Sequence, residues 1–296
     1  MKVALVVIGR LENRYAVEFV EYYKNLGFDH IYIIDNNHND EEYFEDVLQE
    51  YINNDIVTTL NYRNEVGTIG SQSIQVKAYL EVYNKISQIY DWIAFFDFDE
   101  YLTLEKDNNI KEYLSRKCFN KFNQILINWR IYNDNNLIFD DGRSCIERFI
   151  IPIPKNKKIC YQNNAENKHV KCIIRTKLND LTICTPHNFL SNKFLRNKTC
   201  NNYGKKVINT SHSYLQNINY SLAYIKHFTT KTIDEFIKNK YIKGVADRNI
   251  EYFQNTYPIK RFFKYNDITK EKLEYLKQHG FDIDEINEDC VNNWFI

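Results

Sequence analysis

Val3 to Ile8 is a continuous apolar run rich in β-branched residues, the pattern of a strand covered on both faces in a parallel sheet. From Leu11 onward the apolar positions, Tyr15, Val17, Phe19, Val20, Tyr23 and Leu26, recur at three- and four-residue intervals, which predicts a helix stopped by Gly27. Ile31 to Ile34 reads as a second strand, followed by a polar turn from Asp35 to Asp40 and a helix through Val47, Leu48 and Tyr51. Ile56 to Leu60 reads as a third strand. Ser71 to Tyr90 reads as a long helix carrying Ile74, Ala78, Tyr79, Val82, Tyr83, Ile86 and Ile89 on one stripe, and Trp92 to Phe96 as a fourth buried strand. Such alternation implies right-handed parallel crossovers and a doubly wound α/β sheet, whose ligands bind at the carboxyl ends of the strands.

Beyond Leu104 the alternation becomes irregular. Asn123 to Trp129, Phe149 to Pro154 and Val170 to Arg175 read as strands, and Ile233 to Tyr241 and Thr269 to His279 as closing helices. There is neither an internal repeat nor a Pro/Gly/Ser-rich linker, so one continuous domain is expected.

The 296 residues contain 44% hydrophobic and 26% charged positions, enough to bury a core, and this excludes a disordered or coiled-coil chain. Lys+Arg and Asp+Glu both number 39, so no global positive field gathers nucleic acid or anionic lipid. The seven cysteines include no C-x-x-C pair, which points to free thiols in a reducing compartment rather than to zinc or a disulfide framework. The first apolar run is too short for a signal-peptide core, and no stretch approaches the ~20 apolar residues of a membrane helix. A cytoplasmic protein is therefore expected.

The strongest chemical signal is Asp97-Phe98-Asp99-Glu100, directly after the fourth strand. Side chains alternate along an extended chain, so Asp97 and Asp99 face one way and can share Mn²⁺ or Mg²⁺, leaving coordination positions for a diphosphate, while Phe98 faces inward. His227 could complete such a shell, and Lys231 could meet phosphate beside the helix that follows. Asp35 and Asn36, after the second strand, could hydrogen-bond a nucleobase or ribose, or could simply close an Asx turn. Lys171, Arg175 and His187 could bind phosphate or acceptor, or could be surface groups.

These blocks resemble the family 2 and family 92-like glycosyltransferases. Arg10-Leu11-Glu12-Asn13 followed by Glu18 to Asn36 is similar to the opening of that group, and Trp92 to Leu102 resembles its W-x-x-F-x-D-x-D-E-F-L block. Lys171 to Arg175 resembles K-x-I-x-R, and His227 to Thr232 with Phe236, Lys240 and Gly244 resembles H-Y-x-x-K-S-x-x-E-F-x-x-K-x-x-G. The resemblance implies a GT-A fold, Rossmann-like, with a mostly parallel central sheet flanked by helices and an irregular acceptor-side C-terminal part. Residues 1–104 would form the nucleotide-sugar-binding half, 105–245 the acceptor-binding half, and 246–296 a helical extension.

The implied activity is inverting, metal-dependent transfer of a hexose, galactose foremost, from a UDP-sugar to a glycan or glycolipid acceptor in surface polysaccharide synthesis. Arg10, Glu12, Gln75 and Phe98 join Asp35, Asn36 and Lys231 as the donor-binding set. A carboxylate must take the acceptor proton, and Asp141 is the candidate among Asp140, Asp141, Glu147 and Glu166. Peripheral contact with the inner face of a membrane would come through the acceptor. The alternatives are a noncatalytic nucleotide- or glycan-binding module and a nucleotidyltransferase, the latter disfavoured because only Gly9 stands where a glycine-rich phosphate loop is wanted.

Overall fold

In the computed structural model the described residues are 1–67, 73–154, 166–179, 181–191, 194–207, 213–242, 259–284 and 286. Ser71, Cys160, Lys243, Gly244, Cys290 and most of the expected extension from 246 lie outside them. The chain divides into two compact units, one formed by 1–129 with 168–226 and the other by 130–167 with 227–296.

The first unit is a mixed α/β layer structure. β1 (Val3–Gly9), β2 (His30–Asp35), β3 (Val57–Asn61) and β4 (Trp92–Asp97) are parallel, linked by α1 (Asn13–Asn25), α2 (Glu45–Asn53) and α3 (Ile74–Ile86). The reason is the one expected: Val3 to Val7 and Trp92 to Phe96 are all but completely buried, so these strands need a layer of helices on each face. Gly27 takes φ +92 after α1, a left-handed conformation that glycine adopts without strain, and the Ser73 hydroxyl caps α3 by accepting from the Val76 N–H. After β4 come β5 (Glu100–Leu104), α4 (Ile110–Leu114), β6 (Gln124–Ile131), α5 (Cys145–Arg148), β7 (Val170–Arg175), β8 (Thr182–Thr185), β9 (Asn188–Leu190), β10 (Thr199–Asn201), β11 (Lys206–Val207) and β12 (Ala223–His227).

Among the described residues the main sheet runs β11-β10-β6-β7-β4-β1-β2-β3, with β12 joining β5 and β6. β7 is antiparallel to both β4 and β6, and that reversal brings the start of β7 to the carboxyl end of β4. The sheet is thus mostly parallel with an irregular second half, the α/β class that the sequence implied.

The expected strand from Phe149 to Pro154 does not form. Pro152 makes a single isolated bridge with Tyr132, because Pro152 and Pro154 offer no N–H to a ladder and Ile150 and Ile151 point into solvent. The expected helix from Ile233 to Tyr241 is α6 (Ile233–Phe236), continued as a wider π-type turn from Ile237 to Ile242. α7 (Lys260–Phe263) and α8 (Lys270–Gln278) follow in the second unit, whose core gathers Ile233, Phe236, Phe262, Phe263 and Leu276. That unit also buries two ion pairs: Arg148 grips Glu235 through two bonds of 2.8 and 2.9 Å, and Lys272 meets Asp134 at 2.6 Å.

The end of β1 is packed against the turn that follows β4. A Cβ added to Gly9 would stand 2.5 Å from the Phe98 ring, which itself stacks in parallel on Phe44 with centroids 5.3 Å apart. Gly9→Ala is expected to displace Phe98 and lower stability by about 1–3 kcal/mol, the usual penalty of overpacking. Urea denaturation measures it, and an unchanged midpoint would show that the ring is not wedged.

Candidate active site

Register places the site. Ile8 pairs with Asp97 and Gly9 with Asp35, so the ends of β1, β2 and β4 share one sheet edge. On β7, Cys172 pairs with Phe95 whereas Arg175 pairs with Trp92. Lys171 therefore arrives at the edge that carries Asp97, and Arg175 stands at the opposite edge, ~13 Å of extended strand away. There Arg175 donates to the Phe122 carbonyl and lies over the Trp92 ring. It does not join the acidic turn, which corrects its grouping with Lys171.

Asp97 is the centre of a polar network. Its Oδ2 lies 2.8 Å from the Lys171 ammonium, and its Oδ1 accepts from Gln75 Nε2 at 2.8 Å and, at 3.4 Å, from the Tyr79 hydroxyl. Lys171 is wholly buried, with Glu100 Oε2 at 3.7 Å and the Pro186 carbonyl at 3.4 Å as its further neighbours. Glu100, also at 0% exposure, accepts from the Asp97 N–H at 3.0 Å, and this bond closes the turn. Burial pushes the Glu100 carboxyl far above the usual carboxylate range, with Lys171 opposing and Asp97 and Asp99 reinforcing the shift. For Lys171, burial alone would favour the neutral amine, but Asp97 and Glu100 outweigh it and hold the ammonium above the ordinary lysine value. Burial likewise keeps the Tyr79 hydroxyl protonated and able to donate.

Asp99 is half-buried at the tip of the turn. Phe98, between the two aspartates, is 3% exposed against Phe19 and Phe44, so it belongs to the core and corrects its place in the donor-binding set. Asp35 is also structural: its Oδ2 pairs with Arg63 at 2.6 Å, both side chains being 5% exposed, and its Oδ1 accepts from the Asn37 N–H and Nδ2. Arg63 then donates to the carbonyls of His38, Glu41 and Glu42, tying down the loop after β2. Asn36 spends its amide hydrogens on the Tyr62 and Glu65 carbonyls. Arg10 forks onto Glu41, and Glu12 is half-buried at the head of α1.

His187 lies at the same edge as Lys171. Its Nδ1 is 2.9 Å from the Val170 carbonyl, and its ring packs near His169 and Trp129. His227 and Lys231 belong to the second unit, where both are buried. Asp141, also there, accepts from the Arg143 guanidinium at 2.9 Å, and that contact holds its carboxyl below the usual range. A carboxylate so stabilised is a weaker base, which counts against the role expected for it.

A family model for glycosyltransferase family 92 matches residues 12–257. The chain belongs to glycosyltransferase family 92. No curated protein matches it significantly. Among solved structures, S. aureus TarS 1-349 in complex with UDP-GlcNAc is 12% identical over 98% of this chain and 83% of that one, with a TM-score of 0.40. S. aureus TarS 1-349 from a second structure is 13% identical over 95% and 79%, with a TM-score of 0.39. A putative glucose-1-phosphate thymidylyltransferase from Bacillus anthracis, in complex with a sucrose, is 11% identical over 98% and 99%, with a TM-score of 0.32.

In this family 92 glycosyltransferase the site residues missed in the sequence are Tyr79, Glu100, Asn37 and Arg63. Glu100 follows the acidic pair directly and could have been read as the acid that faces inward beside Phe98. Arg63 left a weaker signal, a lone cation in the polar stretch after β3. The raised Glu100 has a pH signature. A carboxyl whose folded value lies above its unfolded value of 4.5 stabilises the fold fully below that value, and the contribution is lost as pH rises through the folded value. Glu100→Gln, which cannot ionise, should therefore gain on the wild type as pH is raised above 4.5, by up to ~1.4 kcal/mol per pH unit. Parallel denaturation curves across that range would contradict the assignment.

Proposed function

We propose that this glycosyltransferase moves a hexose, with galactose the first donor to test, from a UDP-sugar to a glycan or glycolipid acceptor, with inversion, in surface polysaccharide synthesis. Family membership supports the reaction class. The observation that supports a donor site at this edge is the Asp97-to-Glu100 turn at the carboxyl end of β4, clamped from below by Lys171, Gln75 and Tyr79. A network that fixes one short acidic turn so firmly suits an edge that must meet a charged ligand in a set geometry.

The residues fit a divalent cation in part. Asp99 is a hard oxygen donor suited to Mn²⁺ or Mg²⁺, whereas Asp97 is engaged by Lys171, and no cluster of three or more His, Cys, Asp or Glu suited to a metal occurs among the described residues. An incomplete shell of this kind is the usual one for a cation shared with phosphate oxygens. When bound through Asp99, the cation supplies positive charge to the departing diphosphate. Arg10, Glu12 and Asn36 flank the donor on the β1 and β2 side. Lys171 holds Asp97 still, and the half-buried His187 and His169 offer the acceptor a surface on the β7 side. No helix among the described residues is long and apolar enough to cross a membrane, so contact with a lipid surface would come through the acceptor.

The test is release of free nucleotide from UDP-galactose, UDP-glucose, UDP-N-acetylglucosamine and GDP-mannose, with Mn²⁺ or with a chelator. UDP-sugars should be cleaved selectively in the presence of Mn²⁺, and Asp99→Asn should lower the rate by about a hundredfold, as expected when charge stabilisation of a leaving group is removed. Equal rates for Asp99→Asn and wild type would reject the site. A preference for GDP-mannose would reject the donor.

A further inference from the structure

The chain carries no net charge, but its charges are unevenly spread. No Asp or Glu occurs between Glu112 and Asp134, or between Asp180 and Asp234. The fold brings parts of these two acid-free stretches together at the β11 end of the main sheet. β10 pairs Thr199 with Gln124 of β6 and Cys200 with Lys206 of β11. The N–H groups of Asn123 and Gln124 donate to the Lys198 carbonyl, and a Cβ added to Gly204 would stand 2.5 Å from the Cys118 Cβ. Six cations, Lys117, Lys121, Arg196, Lys198, Lys205 and Lys206, are therefore neighbours, and all six are exposed. None of the six stands in an ion pair among the described residues. The acids that precede them along the chain are engaged: Asp107 is held by Arg116 at 2.8 Å, and Glu112 accepts from the Asn108 N–H.

We propose that this patch docks the protein on a lipid bilayer rich in anionic headgroups, a contact besides any made through the acceptor. Like charges held together without counter-ions raise the local potential, and each contributes about a fivefold factor to partitioning onto an anionic surface. Lysines also guard open sheet edges, but Lys117, Lys121, Arg196 and Lys198 lie in turns, outside any strand. Five of the six are lysines, compact point charges suited to a diffuse anionic surface, whereas recognition of single phosphates favours arginine forks. The rings of these segments, Phe119, Phe122, Phe194 and Tyr203, are buried or half-buried, whereas single-stranded nucleic acid is held on rings exposed for stacking. β10 is separated from β4 by β6 and β7, and Lys121 and Lys198 precede strands that run in the direction of β4. The patch thus stands away from the Asp97 turn, and the proposal is independent of the UDP-sugar reading.

The test is co-sedimentation of the full chain with vesicles of phosphatidylcholine alone, or of phosphatidylcholine with about one-third phosphatidylglycerol. Wild type should bind only the anionic vesicles, and should leave them in about 1 M salt, where screening acts within about 3 Å. The variant Lys117→Gln/Lys121→Gln/Lys205→Gln/Lys206→Gln should partition about a hundredfold less, and the same four positions changed to Arg should stay within about threefold of wild type. Lys2, Lys24, Lys85 and Lys106 are exposed elsewhere, and changing these four to Gln removes the same charge but should leave binding within about threefold of wild type.

Wild type that does not respond to phosphatidylglycerol, a patch variant that binds like wild type, or an equal loss in both Gln variants would overturn the proposal. So would loss of binding by the Arg variant, the arm that decides if the Gln patch variant fails to fold. Capture of a single-stranded oligonucleotide at salt that releases the vesicles would also overturn it, assigning the patch to nucleic acid.

Discussion

An ammonium ion shut away from water is tolerated only beside an anion, and that requirement organises the functional edge of this sheet. Lys171 meets Asp97 at 2.8 Å, and Gln75, Tyr79 and Glu100 tie the same turn to α3 and to its own backbone. The pair depends on topology. Because β7 runs antiparallel between β4 and β6, its first residues lie against the last residues of β4. Had β7 run parallel, Arg175 would have faced the acidic turn and Lys171 the far edge.

A second buried pair does similar work two strands away, beyond β1. Asp35 and Arg63 hold the loop after β2 from within, and Asn37 links that loop to the end of β1 by accepting from the Leu11 N–H at 2.7 Å. Gly9 lets Phe98 pack where any side chain would collide. The acidic turn at this edge, with the half-buried Asp99 at its tip, is thus mounted on groups that are themselves immobilised by burial and hydrogen bonding. That is the arrangement a transferase needs to hold a charged leaving group in a fixed orientation.

Periodicity revealed the first half of the fold because β1, β2 and β4 are continuous apolar runs and α1 and α3 carry clear stripes. In the second half strands such as β9 and β10 span three residues each, too few to show a period, and proline in Phe149 to Pro154 was outweighed in the reading by its isoleucines. The acidic turn was legible because polar residues directly after an apolar strand are conspicuous. What could not be read was the partner of each charge. Whether Lys171 would face phosphate or Asp97, and whether Asp35 would face a ribose or Arg63, depends on the strand order and on residues 28 or more positions away. Glu100 went unassigned because the same letters describe a solvated acid and one with no exposure at all.

We propose the carboxyl edge of β1, β2 and β4 as the donor site of this glycosyltransferase. Hydrogen–deuterium exchange with and without UDP and Mn²⁺ tests it directly, since binding slows opening of the backbone that it covers. Protection is predicted in peptides spanning Gly9 to Asn13, Asp35 to Asn37 and Asp97 to Tyr101. Saturating UDP that leaves those peptides unprotected, or protects only segments elsewhere, would place the donor site away from this edge.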